Sequence, residues 1–153
     1  MVGDDGTIYA RDSSNKEIGA VRADGQMLWS TPLEDANVWG MALGLDGTVY
    51  VTVTPGTLVA IDGAGHARFS VKIGTQSVGP PAVDAAGTVL VVADGQLGGV
   101  NPDGTILFRF GDADPQVAPY RSAGRPVVRP DGSVGGPAMR RSDARICAFV
   151  RGP

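Results

Sequence analysis

His66 is the only histidine in this 153-residue chain, and it stands in a Gly65-His66 step, the setting of an exposed turn residue. A zinc centre needs three or four nitrogen, sulfur or carboxylate ligands, and no second histidine or cysteine cluster accompanies it. Serine-based acyl transfer needs a strained elbow of the Gly-x-Ser-x-Gly kind, which the sequence lacks. Cys147 is the single cysteine, so no internal disulfide forms and the redox compartment stays open. Asp112 and Asp114 alternate as calcium ligands do, yet the further acids of an EF-hand loop are missing, and the stretch from Gly111 to Gly124 reads as a solvated connection. Gly95-Gln96-Leu97-Gly98-Gly99 clusters glycines without the Lys-Ser/Thr and following helix of a phosphate loop. No pair of carboxylates is singled out for glycoside hydrolysis. The expectation is no catalytic, cofactor-binding or metal-binding residue, and no enzyme.

Charge and hydropathy narrow the class. A formal net charge of −3 lacks the basic stripe that nucleic acid requires. Arginines gather late in the chain, at 121, 125, 129, 140, 141, 145 and 151, but their spacing through strand-like and turn-like segments reads as a solvated face. The longest apolar run, Val89 to Ala93, is far too short to span a bilayer. The opening Met1-Val2-Gly3-Asp4-Asp5 has neither a basic region nor an apolar run, so no secretory signal is expected there.

The elements that would hold any site come from an internal repeat. One landmark is a turn followed by a strand: Asp5-Gly6-Thr7-Ile8-Tyr9, Asp46-Gly47-Thr48-Val49-Tyr50, Ala86-Gly87-Thr88-Val89-Leu90 and Asp131-Gly132-Ser133-Val134. A second is a turn that ends in an aromatic: Asp24-Gly25-Gln26-Met27-Leu28-Trp29, Ala64-Gly65-His66-Ala67-Arg68-Phe69, Asp103-Gly104-Thr105-Ile106-Leu107-Phe108 and, weaker, residues 142–149 ending in Phe149. Both recur at about forty residues, the period of a four-stranded propeller blade. Asp-Gly between alternating segments is a hairpin signal, because glycine accepts positive φ and aspartate caps the turn. β-Branched runs follow each turn, and no helical periodicity appears. The predicted fold is therefore all-β: about four blades of four antiparallel strands, at 1–33, 38–73, 78–110 and 124–150, forming part of a ring.

In the second unit the strands are expected at 40–45, 48–53, 58–62 and 67–73, and in the third at 81–83, 88–93, 97–101 and 106–110. The first unit lacks its inner strand, and Gly135-Gly136-Pro137 is expected to interrupt the second strand of the fourth. Stacking blades buries both faces of each sheet, so Trp29, Phe69, Phe108 and Phe149 are expected to act as wedges between neighbours. Binding would fall to the axial channel and the ring-face loops. Candidates there are Gln76, Asp112, Asp114, Tyr120 and Trp39. Trp39 opens an inner strand, where it either packs in the core or lines the channel entrance.

These units resemble the PQQ-like, quinoprotein-type repeat shared with BamB-type propellers. The matching residues are Pro81-Ala82-Val83-Asp84, Asp46-Gly47-Thr48-Val49-Tyr50-Val51, Gly56-Thr57-Leu58-Val59-Ala60-Ile61-Asp62 and Gly25-Gln26-Met27-Leu28-Trp29. The resemblance implies seven or eight blades in a whole ring and an exported, periplasmic or extracellular setting. It also allows PQQ and Ca²⁺ as cofactors. The residues do not support these cofactors: Asp24, Ala64 and Asp103 stand where quinone dehydrogenases carry threonine, and their vicinal cysteine pair is absent. The expected function is a non-enzymatic scaffold that binds a protein or other macromolecule through ring-face loops. Self-association could complete a ring. The alternatives are a piece of an oxidoreductase propeller whose site lies on other blades, and a truncated array with no function of its own.

Overall fold

The computed structural model describes residues 1–33, 37–75, 78–110, 125–129, 134–139 and 144–149, and among them every regular element is a β-strand. Four antiparallel sheets follow one another along the chain. The first holds β1 (Ile8–Arg11), β2 (Glu17–Val21) and β3 (Met27–Pro32). The second holds β4 (Val38–Leu43), β5 (Val49–Val53), β6 (Thr57–Ile61) and β7 (Ala67–Lys72). The third holds β8 (Ala82–Val83), β9 (Val89–Ala93), β10 (Gln96–Val100) and β11 (Ile106–Phe110), and the fourth β12 (Val127–Val128), β13 (Val134–Met139) and β14 (Ala144–Phe149). Each sheet is a meander, paired in chain order. This is a β-propeller with part of a ring.

The repeat reaches down to single hydrogen bonds. At the first landmark Gly3, Gly44 and Asp84 each donate their N–H to the carbonyl of Thr7, Thr48 and Thr88, at 2.8–3.0 Å. At the second, Arg22, Asp62 and Asn101 do the same to Gln26, His66 and Thr105. The turn glycine has positive φ in every described copy, as at Gly47 (79°) and Gly65 (89°). Just past the second landmark a bulge recurs in the pairing of the last two strands, at Ala20/Val21, Ala60/Ile61 and Gly99/Val100.

Two turns have alanine where the others have aspartate, and an aspartate two residues earlier takes over. Asp62 Oδ1 accepts the N–H groups of Ala64 and His66, and Asp84 Oδ1 those of Ala86 and Thr88. The regular copies use the local residue, as when Asp46 Oδ1 accepts from Thr48 N at 3.1 Å.

The central strands β5 and β9 are buried along their whole length. Alternate residues face opposite neighbours. Tyr9, Ile18 and Ala20 of the first sheet pack with Val49, Val51, Val53, Val59 and Ile61 of the second. Tyr50, Leu58 and Ala60 of the second pack with Val89, Val91, Ala93 and Val100 of the third. Each fully buried aliphatic side chain contributes about 1.5–3 kcal/mol.

The end sheets differ from expectation. In the first, Val2 forms a single antiparallel bridge with Ile8, and Met1 exchanges hydrogen bonds with Tyr9, so a stub of the inner strand is present. In the fourth, Gly135-Gly136-Pro137 does not interrupt the second strand, because β13 runs through it. Among the described residues β12 pairs with Val134 and Gly135 alone, and Pro137 stands opposite Ile146 of β14. The segment ending at Phe149 is the third strand of its sheet and not a fourth. It pairs directly with β13, and the four residues 140–143 between the two strands leave no room for another.

Candidate functional site

A propeller blade of this kind presents two sets of loops. One ring face carries both rows of Asp-Gly turns. The other carries the hairpins joining the two middle strands of each blade, together with the connections from blade to blade.

On the turn face the carboxylates are engaged locally. Asp5 Oδ1 accepts from Thr7 N at 2.9 Å and its Oδ2 from Thr7 Oγ1, and these bonds hold its pKa below the ordinary carboxylate range. Asp103 is lowered by its bonds from the Thr105 hydroxyl and N–H. Asp62 is lowered chiefly by the His66 N–H. At Asp46 burial works in the opposite direction, but hydrogen bonds from Thr48 and Arg68 outweigh it and the net shift is downward. Arg68 Nη1 bridges Asp46 Oδ2 at 3.1 Å and Thr48 Oγ1 at 2.8 Å. Burial raises the Tyr9 and Tyr50 phenols, as core positions require.

On the connection face the blades are latched together. Leu33 N and Val38 N donate to Lys16 O and Asn15 O. Thr54 N donates to Asn37 O, while Asn37 N donates to Thr54 Oγ1 at 3.2 Å. Ile73 and Gly74 both donate to Gly56 O, and Thr75 donates its N–H and hydroxyl to Asp94 Oδ2.

The loop from Asp12 to Lys16 is organised by one side chain. Asp12 Oδ1 accepts from Lys16 N at 2.9 Å and Glu17 N at 3.0 Å, and Oδ2 accepts from Ser14 N and the Ser14 hydroxyl. The Ser14 hydroxyl, with the three backbone donors, lowers its pKa from 3.8 to about 2. A depressed carboxylate stabilises the fold above its unfolded pKa, and that contribution is lost as pH falls through the folded one. Asp12→Asn is therefore expected to be less stable than the native chain at neutral pH, with the gap closing between pH 3.8 and about 2. Urea denaturation across that range checks it; a pH-independent gap contradicts it.

Trp39 emerges from this latched face. Val38 pairs with Val53 and Gly40 with Thr52, so Trp39 sits at the bulge between them and is left out of the ladder. Its side chain is 51% exposed, which removes the core-packing alternative. Its neighbours are fixed: Val38 O accepts from Arg11 Nη1 at 2.9 Å, and a Cβ at Gly40 would lie 2.5 Å from Pro80 Cβ, just ahead of β8. Arg125 reaches the same inner strand, donating from Nη2 to Met41 O at 2.9 Å, so this arginine is an anchor as well as a surface charge. Gln76, Asp112, Asp114 and Tyr120 lie outside the described residues, as does the side chain of Phe149.

The aromatics of the outer strands reveal a partner that sequence reasoning missed. Trp29 lies over Gly65 in the next sheet, where a Cβ would meet its Cγ at 2.8 Å, and its Nε1–H donates to Gly63 O at 2.9 Å. Phe69 lies over Gly104 of the third sheet in the same way, with Cγ again 2.8 Å from a Cβ there. Each ring also tilts against its own blade's tyrosine, Tyr9 at 6.0 Å and Tyr50 at 6.3 Å. Phe108 is the expected wedge of the third seam, where the turn of the fourth sheet lies outside the described residues. It covers Gly99 of its own sheet and is 38% exposed. Where Trp29 and Phe69 pair with Ala20 and Ala60, Phe108 pairs with a glycine, which gives its ring room to lie back.

A family described as outer membrane protein assembly factor BamB matches this chain over residues 4–150. The chain belongs to the BamB family. A curated relative, the outer membrane protein assembly factor BamB of Nitrosomonas eutropha, is 23% identical over 127 residues, covering 82% of this chain and 31% of its own length. The solved BamB of Moraxella catarrhalis superposes with a TM-score of 0.71 at 19% identity, over 97% of this chain and 46% of that one. A streptogramin B lyase structure has the same TM-score at 13% identity, over 97% and 52%. The chain thus spans about a third of the length of its curated BamB relative and about half of these propellers. The structural likenesses establish the fold, which a BamB and a lyase share.

Proposed function

We propose that the chain is a non-enzymatic binding module that takes a protein partner on its connection face, with Trp39 as the anchoring side chain. The observation that carries this is a half-exposed tryptophan held on a strand by fixed neighbours. Aromatic side chains that are exposed when free and buried when bound dominate protein interfaces, and a rigid base lowers the entropy lost on binding. Membership of a family described by an assembly factor supports a protein as the partner. Among the described residues no three His, Cys, Asp or Glu side chains converge on a metal site, and the turn carboxylates already accept backbone N–H groups.

The test is titration of the chain with purified proteins of the host's outer-membrane assembly apparatus, followed by tryptophan fluorescence and calorimetry. Trp39→Ala is expected to weaken the complex by about 2 kcal/mol, roughly thirtyfold, with the melting temperature unchanged. Equal affinity for the native and substituted chains would move the binding surface away from Trp39.

A further inference from the structure

The seam between the second and third sheets holds a hollow that the seam before it fills. Register places Gly98 of β10 opposite Arg109 of β11, where the second sheet has Val59 opposite Ser70. Val59 is buried against the first sheet. At Gly98 that side chain is missing. A Cβ there would come no closer than 3.8 Å to a neighbouring atom, the Val91 carbonyl oxygen, and the residue is not among the glycines with positive φ. The bulge one residue later recurs in the second sheet with valine in place, so it does not require the glycine either. Glycine inside a strand costs stability and marks a turn in the strand, a close backbone or a ligand. At Gly98 the first two are absent.

Ile73, Val91, Val100 and Ile106 give the hollow apolar walls, and its enclosed part has room for one small group. Arg109, an exposed residue, stands at its rim. The guanidinium is tied across the seam by a single bond, from Nη2 to Lys72 O at 3.3 Å. A guanidinium carries five N–H donors, and among the described residues no carboxylate pairs with this one. The seam therefore sets an oriented cation with spare donors beside an apolar slot.

We propose that this hollow binds a short branched monocarboxylate, its isopropyl end over Gly98 and its carboxylate on the Arg109 guanidinium. The tail is assigned by what is missing, since the valine that stands at this position in the second sheet carries an isopropyl group. The head is assigned by the arginine, whose planar fork matches a carboxylate with two parallel hydrogen bonds. Every wall belongs to the second and third sheets, and the site is separate from the Trp39 surface.

The test is titration of the purified chain with isovalerate, followed by amide chemical shifts. Saturable shifts at Gly98, Val91 and Arg109 are expected, with a dissociation constant of about a millimolar. Acetate, which has the charge without the tail, and 3-methylbutanol, which has the tail without the charge, are each expected to bind about tenfold more weakly. Gly98→Val installs the side chain of the second sheet. It is expected to weaken isovalerate by about tenfold or more while the melting temperature holds or rises, as filling a hollow does. Arg109→Gln is expected to bring isovalerate down to the affinity of the alcohol and to leave the alcohol unchanged, a comparison that stands whether or not Gly98→Val folds. Absence of saturable shifts at Gly98, or binding indifferent to Gly98→Val, would overturn the proposal. Equal affinity for the acid and the alcohol overturns it as well, by taking the carboxylate off Arg109.

Discussion

Trp29→Ala is expected to destabilise the chain by about 3–4 kcal/mol, the cost of removing a large aromatic from a packed seam. The ring sits between Tyr9 of its own blade and Gly65 of the next, and its indole N–H closes on Gly63 O. Removing it opens a cavity at the seam and leaves Tyr9 without its neighbour. At this chain length the loss corresponds to a melting temperature lower by about 10 °C. Trp29→Phe keeps most of the ring and forfeits the indole bond, at about 1 kcal/mol, since the carbonyl it leaves is solvent-accessible. Phe108→Ala is expected to cost only about 1 kcal/mol, because that ring is exposed and covers its own sheet. Urea denaturation of the three variants separates seam docking from generic aromatic burial. A loss below about 1 kcal/mol for Trp29→Ala would dispose of the docking role.

The three equivalent glycines give the second large effect with its own control. Each has φ near 90°, so alanine at any of them carries the same left-handed backbone cost of about 1–2 kcal/mol. Gly25→Ala is expected to cost that and no more in a single chain, since its Cβ meets nothing. Gly65→Ala and Gly104→Ala must also lift Trp29 and Phe69 off the turn, which brings each to about 3–4 kcal/mol. In the Gly65→Ala, Trp29→Ala double variant the two losses should fall well short of their sum, because they break the same contact. Additive losses would mean that glycine and ring act separately.

Much of this architecture was legible in the sequence because it is written in local chemistry. Asp46-Gly47-Thr48-Val49-Tyr50 specifies a turn and the strand after it, and repetition of that unit at one period fixes a meander of blades. The family resemblance rested on the same residues. Other features depend on what lies across space. Gly65 already had a reason to be glycine in its positive φ, so nothing in the sequence marked its second duty beneath Trp29. Trp39 could not be assigned to core or surface, because its exposure follows from a one-residue shift in the pairing of β4 with β5. Phe149 fell on the period of the aromatics yet lies in a third strand, since the short link 140–143 decides which strand comes next. Asp62 read as the end of a strand and Asp84 as part of the repeat motif, and only the folded alanine turns show whose hydrogen bonds they carry.

The joint between blades has a direction, since at the two described seams the ring belongs to the earlier blade and the glycine to the later one. A block of about forty residues that spans the second sheet carries one ring, Phe69, and one socket, Gly65, and its two ends match each other and their neighbours. An in-frame duplication of such a block would insert a blade that fits both flanking seams from the first generation, with no compensating change. Growth of the array by whole units is thereby inexpensive, while a gain or loss of half a unit strands a ring without a socket.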